Sequence, residues 1–259
     1  MESVAAVFAD VHGEAEHLKK LIQKIKEKYP EAELYSLGDL VDRGSTSKEV
    51  IQVCIDENIK GIYGNHDQWI RDLVVKQTFD PFCLKPIMGG KYTLDSYGVD
   101  FYSDGYDYFP NGRSEKILGI ELYNRIPEAH KKWIKELVPY RRITVADQTF
   151  WLIHAGLTLS VAGKYQADSD DEMMRKIVEK EVDSILWPSP NLGGGFTKDN
   201  LYHFKDAVQI FGHRPVKEPL IKDHFIALDT GCGTCEPFTL SAIILPSKEI
   251  IQVSDNEWV

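Results

Sequence analysis

Five short apolar runs in this chain each stop on a chemistry-bearing residue beside a glycine, and that recurrence restricts the fold more than any other feature. Val4-Ala5-Ala6-Val7-Phe8-Ala9 ends in Asp10-Val11-His12-Gly13, and Leu34-Tyr35-Ser36-Leu37 ends in Gly38-Asp39-Leu40-Val41-Asp42-Arg43-Gly44. Residues 59–63 run into Gly64-Asn65-His66-Asp67, Phe150-Trp151-Leu152-Ile153 into His154-Ala155-Gly156, and Val208-Gln209-Ile210-Phe211 into Gly212-His213-Arg214-Pro215. Near-continuous apolar runs of this length read as strands buried on both faces. Open α/β sheets place their ligands in a crevice beyond the C-terminal ends of the strands. If these strands lie side by side, Asp10, His12, Asp39, Asn65, His154 and His213 share one rim. One short motif is weak on its own, but five in the same context point to a site.

The intervening segments supply helices. Residues 14–29 carry Leu18, Leu21, Ile22 and Ile25 at helical spacing and stop at Pro30, and 45–57 repeat the arrangement with Val50, Ile51, Val53 and Cys54. Trp69, Ile70, Leu73 and Val74 mark a third helix after Asn65, and two more are expected over 127–137 and 170–182, the latter with Met173, Ile177 and Val178 inward. Residues 225–228, 240–245 and 250–253 read as antiparallel strands. A mostly parallel first half and a hairpin-rich end predict a mixed α/β fold of two packed sheets with helices outside. One domain over 1–259 is expected, because the rim residues are spread along the chain. The Gly-, Tyr- and Asp-rich stretch that begins near Phe79 reads as a loop-rich insertion, about 79–147, over the active-site face, where substrate selection usually resides.

Composition excludes several classes. A formal net charge of -10 argues against general nucleic-acid binding, which rests on basic contacts to phosphate. No charged start with an apolar run behind it and no membrane-length stretch is present, so a soluble cytoplasmic protein, a monomer, with no membrane partner is expected. The four cysteines make no disulfide framework in a chain of 259 residues, and Cys232-Gly233-Thr234-Cys235 reads as a turn after a strand. Asn191-Leu192-Gly193-Gly194-Gly195-Phe196 lacks the lysine and the strand-to-helix setting of a phosphate-cradling loop. His17, His130, His203 and His224 have no strand-end context and read as surface residues.

Carboxylate, amide and imidazole donors without thiolates suit two adjacent borderline divalent cations, manganese first, with iron, zinc, nickel or cobalt as alternatives. Asp39, ending the central strand, is the natural bridge between ions roughly 3.5 to 4 Å apart. A hydroxide held between two such cations would be a nucleophile against phosphorus at neutral pH. His66, directly after Asn65, is placed to protonate the departing oxygen, with Asp42 orienting its ring; the alternative for His66 is a further metal ligand. Arg43 is expected to grip phosphate oxygens bidentately.

These motifs resemble those of the calcineurin-like metallophosphoesterases, in particular the phosphoprotein phosphatases with bacterial-type members. DxH at Asp10 and His12, GDxxDRG from Gly38 to Gly44, GNHD from Gly64 to Asp67, HAG at His154 and GH at Gly212 appear in the family's order across nearly the whole chain. Gly89-Gly90 followed by Thr93-Leu94 and Ser96-Tyr97, then Leu186-Trp187 and Asp229-Thr230-Gly231-Cys232, point the same way. The resemblance implies a four-layer αββα sandwich. It implies one cation on Asp10, His12 and Asp39, another on Asp39, Asn65, His154 and His213, and a His66–Asp42 pair serving the leaving group. Eukaryotic relatives often have HGG and GNHE where this chain has Ala155 and Asp67. A second phosphate-gripping arginine is missing from 193–198; Arg214 is the candidate substitute. Relatives that split diadenosine tetraphosphate symmetrically often lack the aspartate that stands here as Asp42. The expected activity is therefore that of a serine/threonine, and also tyrosine, protein phosphatase acting on phosphorylated proteins or small phosphoesters. The alternatives are a symmetrical diadenosine tetraphosphate hydrolase and a non-catalytic phosphatase-like scaffold.

Overall fold

Each central strand buries both faces, so its alternating side chains have to be shared between two cores. The computed structural model describes residues 3–99, 115–187 and 200–255. In chain order the strands are β1 (Ala5–Phe8), β2 (Glu33–Ser36), β3 (Lys60–Gly61), β4 (Tyr140–Val145), β5 (Gln148–Ile153), β6 (Ala207–Phe211), β7 (Leu220–Ile221), β8 (Phe225–Ala227), β9 (Thr239–Leu245) and β10 (Glu249–Ser254). The helices are α1 (Ala15–Lys28), α2 (Ser47–Asp56), α3 (Asn65–Lys76), α4 (Gly90–Ser96), α5 (Glu115–Arg125), α6 (Glu128–Glu136), α7 (Leu159–Ala162) and α8 (Asp170–Glu181).

One sheet has the order β10-β9-β1-β2-β3 and the other β4-β5-β6-β8-β7. The pairs β1/β2, β2/β3, β5/β6 and β6/β8 are parallel, whereas the outer strands β9, β10, β4 and β7 pair antiparallel. Ala6 and Phe8 of β1 face α1 and α2 through Leu18, Leu21, Ile25, Val50 and Ile51. Ala5, Val7 and Ala9 face the second sheet through Phe150, Leu152, Val208 and Ile210. Trp151 and Ile153, from the opposite face of β5, pack on Met173, Met174 and Ile177 of α8. The strand period of two thus sorts the residues into three cores between four layers, helix, sheet, sheet, helix.

The outer core offers a direct check. Trp151 is fully buried, stacks on Phe204 at 4.8 Å between ring centroids and lies against Tyr140 at 5.6 Å. Trp151→Ala should cost about 3–5 kcal/mol of unfolding free energy by denaturant titration. A loss below about 1 kcal/mol would show that this layer contributes little to the fold.

Several expectations need correction. β4 lies where the sequence predicts no strand; it pairs with β5 through a two-residue turn at Ala146 and Asp147, both at positive φ (46° and 64°), and Ala-Asp carries none of the usual glycine signal. β3 is shorter than 59–63, because Tyr63 N–H leaves the sheet to donate to Val138 O at 3.0 Å. His17 and His130 are buried rather than on the surface. His130 bridges Tyr97 Oη (2.9 Å) and Gln52 Oε1 (3.0 Å), and His17 Nε2 lies 3.0 Å from Asp255 Oδ1. Among the described residues of 79–147 there are a 3₁₀ turn (Pro81–Leu84), α4, α5, α6 and β4. The glycine-rich 191–196 and the Asp104-Gly105-Tyr106-Asp107-Tyr108 stretch lie outside the described residues. No helix among the described residues is long and apolar enough to cross a membrane.

Candidate active site

Beyond the strand ends, backbone hydrogen bonds continue between neighbouring loops. Asp10 N–H donates to Gly38 O (3.2 Å), His12 N–H to Asp39 O (2.9 Å) and Gly212 N–H to His154 O (2.8 Å). Asp10, His12, Asp39, Asp42, Arg43 and His213 all adopt positive φ, between 45° and 74°. Non-glycine residues hold that conformation only where their surroundings over-determine it, and such outliers gather at functional sites. Glycine is required where these loops crowd: a Cβ on Gly64 would lie 2.1 Å from Asp39 Oδ1, and one on Gly212 2.0 Å from Asp10 Oδ2.

The strand-end residues do converge. Asp39, His154 and His213 bring one ligand atom each within 4.8 Å of one another, and His12, Asp39 and His66 form a second such group. Asp39 belongs to both. His154 Nδ1 donates to Leu37 O (2.8 Å), which turns Nε2 toward Asn65 Oδ1 (3.0 Å), His213 Nδ1 (3.1 Å) and Asp39 Oδ1 (3.4 Å). His12 Nδ1 faces Val41 O at 3.2 Å in the same way, leaving Nε2 3.6 Å from Asp39 Oδ2. A carbonyl fixing one imidazole nitrogen so that the other presents its lone pair is the usual support of a metal-ligating histidine. Asp10 falls outside both groups; its two carboxylate oxygens accept from His213 N–H at 3.1 Å each.

Charge at the rim calls for cations. Asp10, Asp39, Asp42, Asp67 and Asp229 are all at least 96% buried. Burial, with Asp229 adding, raises Asp10 well above the carboxylate range, and burial pushes Asp67 and Asp229 up to about 6. Burial works to lower His154, yet the Asp39 carboxylate outweighs it and raises the imidazole to about 10, so a cation taking Nε2 as a ligand would replace that proton. For Asp39 burial is again overcome, by the charge on His154 and His66, and it stays well below the carboxylate range. Burial and the charge on His154 push His213 down to about 3, leaving a neutral nitrogen donor. Two oxygen- and nitrogen-rich donor groups sharing one anion, inside a buried acidic pocket, fit two divalent cations.

The remaining predicted residues surround this pair. His66 Nδ1 donates to Asp42 Oδ2 (3.0 Å), and Asp42 also accepts from Trp69 Nε1 (3.1 Å) and Thr93 Oγ1 (2.7 Å). Arg43 spans the pocket, with Nη1 2.7 Å from His12 Nε2 and 2.8 Å from Thr234 Oγ1, and Nη2 3.1 Å from His66 Nε2. Arg214 lies beside His213, where its charge helps depress that imidazole, and residues 193–198 are not described.

Four supporting residues escaped the reading of the sequence as parts of the site. Asp67 accepts from Leu40 N–H, Val41 N–H and Gly64 N–H, tying the two central loops together, and Asp229 lies near enough to Asp10 to raise it. Thr93 holds Asp42 and Thr234 holds Arg43; both lie inside sequence motifs, but only the fold shows what they touch.

The calcineurin-like phosphoesterase family model matches residues 4–223. The chain is 24% identical to the asymmetrical bis(5'-nucleosyl)-tetraphosphatase PrpE of Oceanobacillus iheyensis, over 97% of this chain and 92% of that protein. The protein of the same name from Anoxybacillus flavithermus is 24% identical over 84% of this chain and 77% of its own length. Among solved structures, the cold-active protein-tyrosine phosphatase of a Shewanella species superposes with a TM-score of 0.55 at 16% identity, covering 97% of this chain and 78% of that one.

Proposed function

The chain belongs to the calcineurin-like phosphoesterase family and is a metallophosphoesterase; within that premise we propose that it hydrolyses dinucleoside polyphosphates, cutting the phosphate chain asymmetrically. The observation that carries phosphoester hydrolysis is the pair of donor groups sharing Asp39 beside Arg43. The substrate class is supported by the two tetraphosphatases, one of them alike over nearly its full length. Both of these relatives are asymmetrical tetraphosphatases by name, which favours asymmetrical over symmetrical cleavage.

Asp39, Asn65, His154 and His213 would hold one cation, and His12 and Asp39, with Asp10 or His66 completing the set, the other. When bound, such ions supply positive charge to phosphoryl oxygens and a nucleophile at neutral pH. Arg43 offers two guanidinium N–H groups to phosphate oxygens, and Thr234 fixes one side of the fork. His66, ordered by Asp42, turns Nε2 toward Arg43 and the pocket, and once protonated there it would hand a proton to a leaving oxygen. On a dinucleoside tetraphosphate, water attack forms one P–O bond and breaks one P–O bond of a bridge, the water's proton passing to the leaving phosphate or to solvent, and leaves a nucleoside monophosphate and a nucleoside triphosphate.

A second reading, hydrolysis of phosphoserine, phosphothreonine or phosphotyrosine, is favoured by the same His66–Asp42 pair. An alkoxide departs poorly without a proton, whereas a nucleotide phosphate leaves readily with none. Rates on diadenosine tetraphosphate and on a phosphopeptide, with products resolved chromatographically, decide between the two. Turnover of the phosphopeptide alone would overturn the first reading.

Metal dependence follows from either. Treatment with a strong chelator should reduce turnover to background, and manganese, our first choice among manganese, iron, zinc, nickel and cobalt, should restore it with about two ions per chain by elemental analysis. Full activity in verifiably metal-stripped protein would refute the assignment.

A further inference from the structure

We propose that Phe82 and Trp187 form the subsite that receives one nucleobase of the substrate; this assignment rests on the dinucleoside-polyphosphate reading. Trp187 stands beside the rim, its ring edge-on to His213 at 6.3 Å between centroids, and Phe82 meets Trp187 edge-on at 6.1 Å. The two rings make an aromatic corner beside His213.

Both are held in place from the rim. Trp187 N–H donates to Asp183 O (2.9 Å) at the end of a 3₁₀ turn (Val182–Ile185), and Ile185 O accepts from Ala155 N–H (2.9 Å), next to His154. One side of Trp187 packs with Tyr63, Leu137 and Leu186. Phe82 sits on the turn capped by Asp80, and the same segment reaches Arg43, whose N–H donates to Gly89 O at 3.3 Å. The corner is therefore fixed relative to both Arg43 and His213.

Phe82 is 37% exposed, and the Lys85 ammonium lies 4.7 Å from its ring centroid. An exposed Phe82 ring meeting a half-buried Trp187 beside a polar anion site suits a ligand that is flat and π-rich at one end and anionic at the other. A nucleotide whose phosphate lies at the rim meets that description. Every base has a π-face, so such a corner would bind bases with little selectivity among them.

The experiment compares wild-type protein with Trp187→Ala, Phe82→Ala and Trp187→Phe on diadenosine tetraphosphate and on glycerol phosphate, which has no ring. Loss of a stacking partner should raise KM for the dinucleotide about 5- to 100-fold with kcat little changed, leave KM for glycerol phosphate within about twofold, and be largely rescued by Trp187→Phe. Equal effects on both substrates, or unchanged KM for the dinucleotide in both alanine variants, would overturn the subsite while leaving the substrate reading intact. Wild-type protein that cleaves glycerol phosphate but not the dinucleotide would overturn the reading itself and the subsite with it.

Discussion

Asp39→Asn should abolish turnover, lowering kcat/KM by at least about 10³-fold, and should reduce the bound metal from two ions per chain to one or none. Asp39 is the residue common to both donor groups, with Oδ1 3.4 Å from His154 Nε2 and Oδ2 3.6 Å from His12 Nε2. Asparagine keeps the shape and can still accept from His66 N–H, which Asp39 Oδ1 does at 2.9 Å. It lacks the anion that two cations would share. Metal charge stabilisation contributes several kcal/mol, and each 1.36 kcal/mol is tenfold in rate, which gives the expected loss. Circular dichroism and elemental analysis on the same preparation separate a folded, metal-poor protein from an unfolded one. Normal activity with two ions bound would remove Asp39 from the centre.

His66→Asn should show a loss that depends on the leaving group. His66 hydrogen-bonds Asp42, which Trp69 and Thr93 hold in turn, so the imidazole is oriented on one side and open to Arg43 and the pocket on the other. General acid catalysis contributes about 10²–10⁴-fold where the departing oxygen needs a proton. A loss of that size is expected on an alkyl phosphomonoester and less than about tenfold on a substrate that releases a nucleotide phosphate. His66 also lies within ligand distance of His12 and Asp39, and metal content distinguishes the two roles. As the acid, His66→Asn retains two ions; as a ligand, it loses one and the leaving-group dependence disappears.

Comparison of particular residues shows why some of this was legible in one dimension. Short buried strands read as apolar runs, and the residues that end them are neighbours of glycine because the loops approach one another closely, as at Gly64 and Gly212. Asp39, His154 and His213 could therefore be assigned to one place from local context. The turn at Ala146 and Asp147, the burial of His17 and His130, and the supports of Asp42 and Arg43 could not. Thr93 is 51 residues from Asp42 and Thr234 is 191 from Arg43, and a threonine carries no local mark of what it will touch.

The amino-acid order alone carried most of the strand–helix alternation, the expectation of two packed sheets with helices outside and the meeting of Asp39, His154 and His213, because periodicity and strand-end chemistry are local properties of a chain. Tertiary structure alone decided that Asp10 stands back against His213 N–H, that Thr93 and Thr234 hold Asp42 and Arg43, and that Phe82 and Trp187 meet beside His213. Those outcomes depend on distances between segments far apart in sequence, and such distances exist only once the sheets have packed.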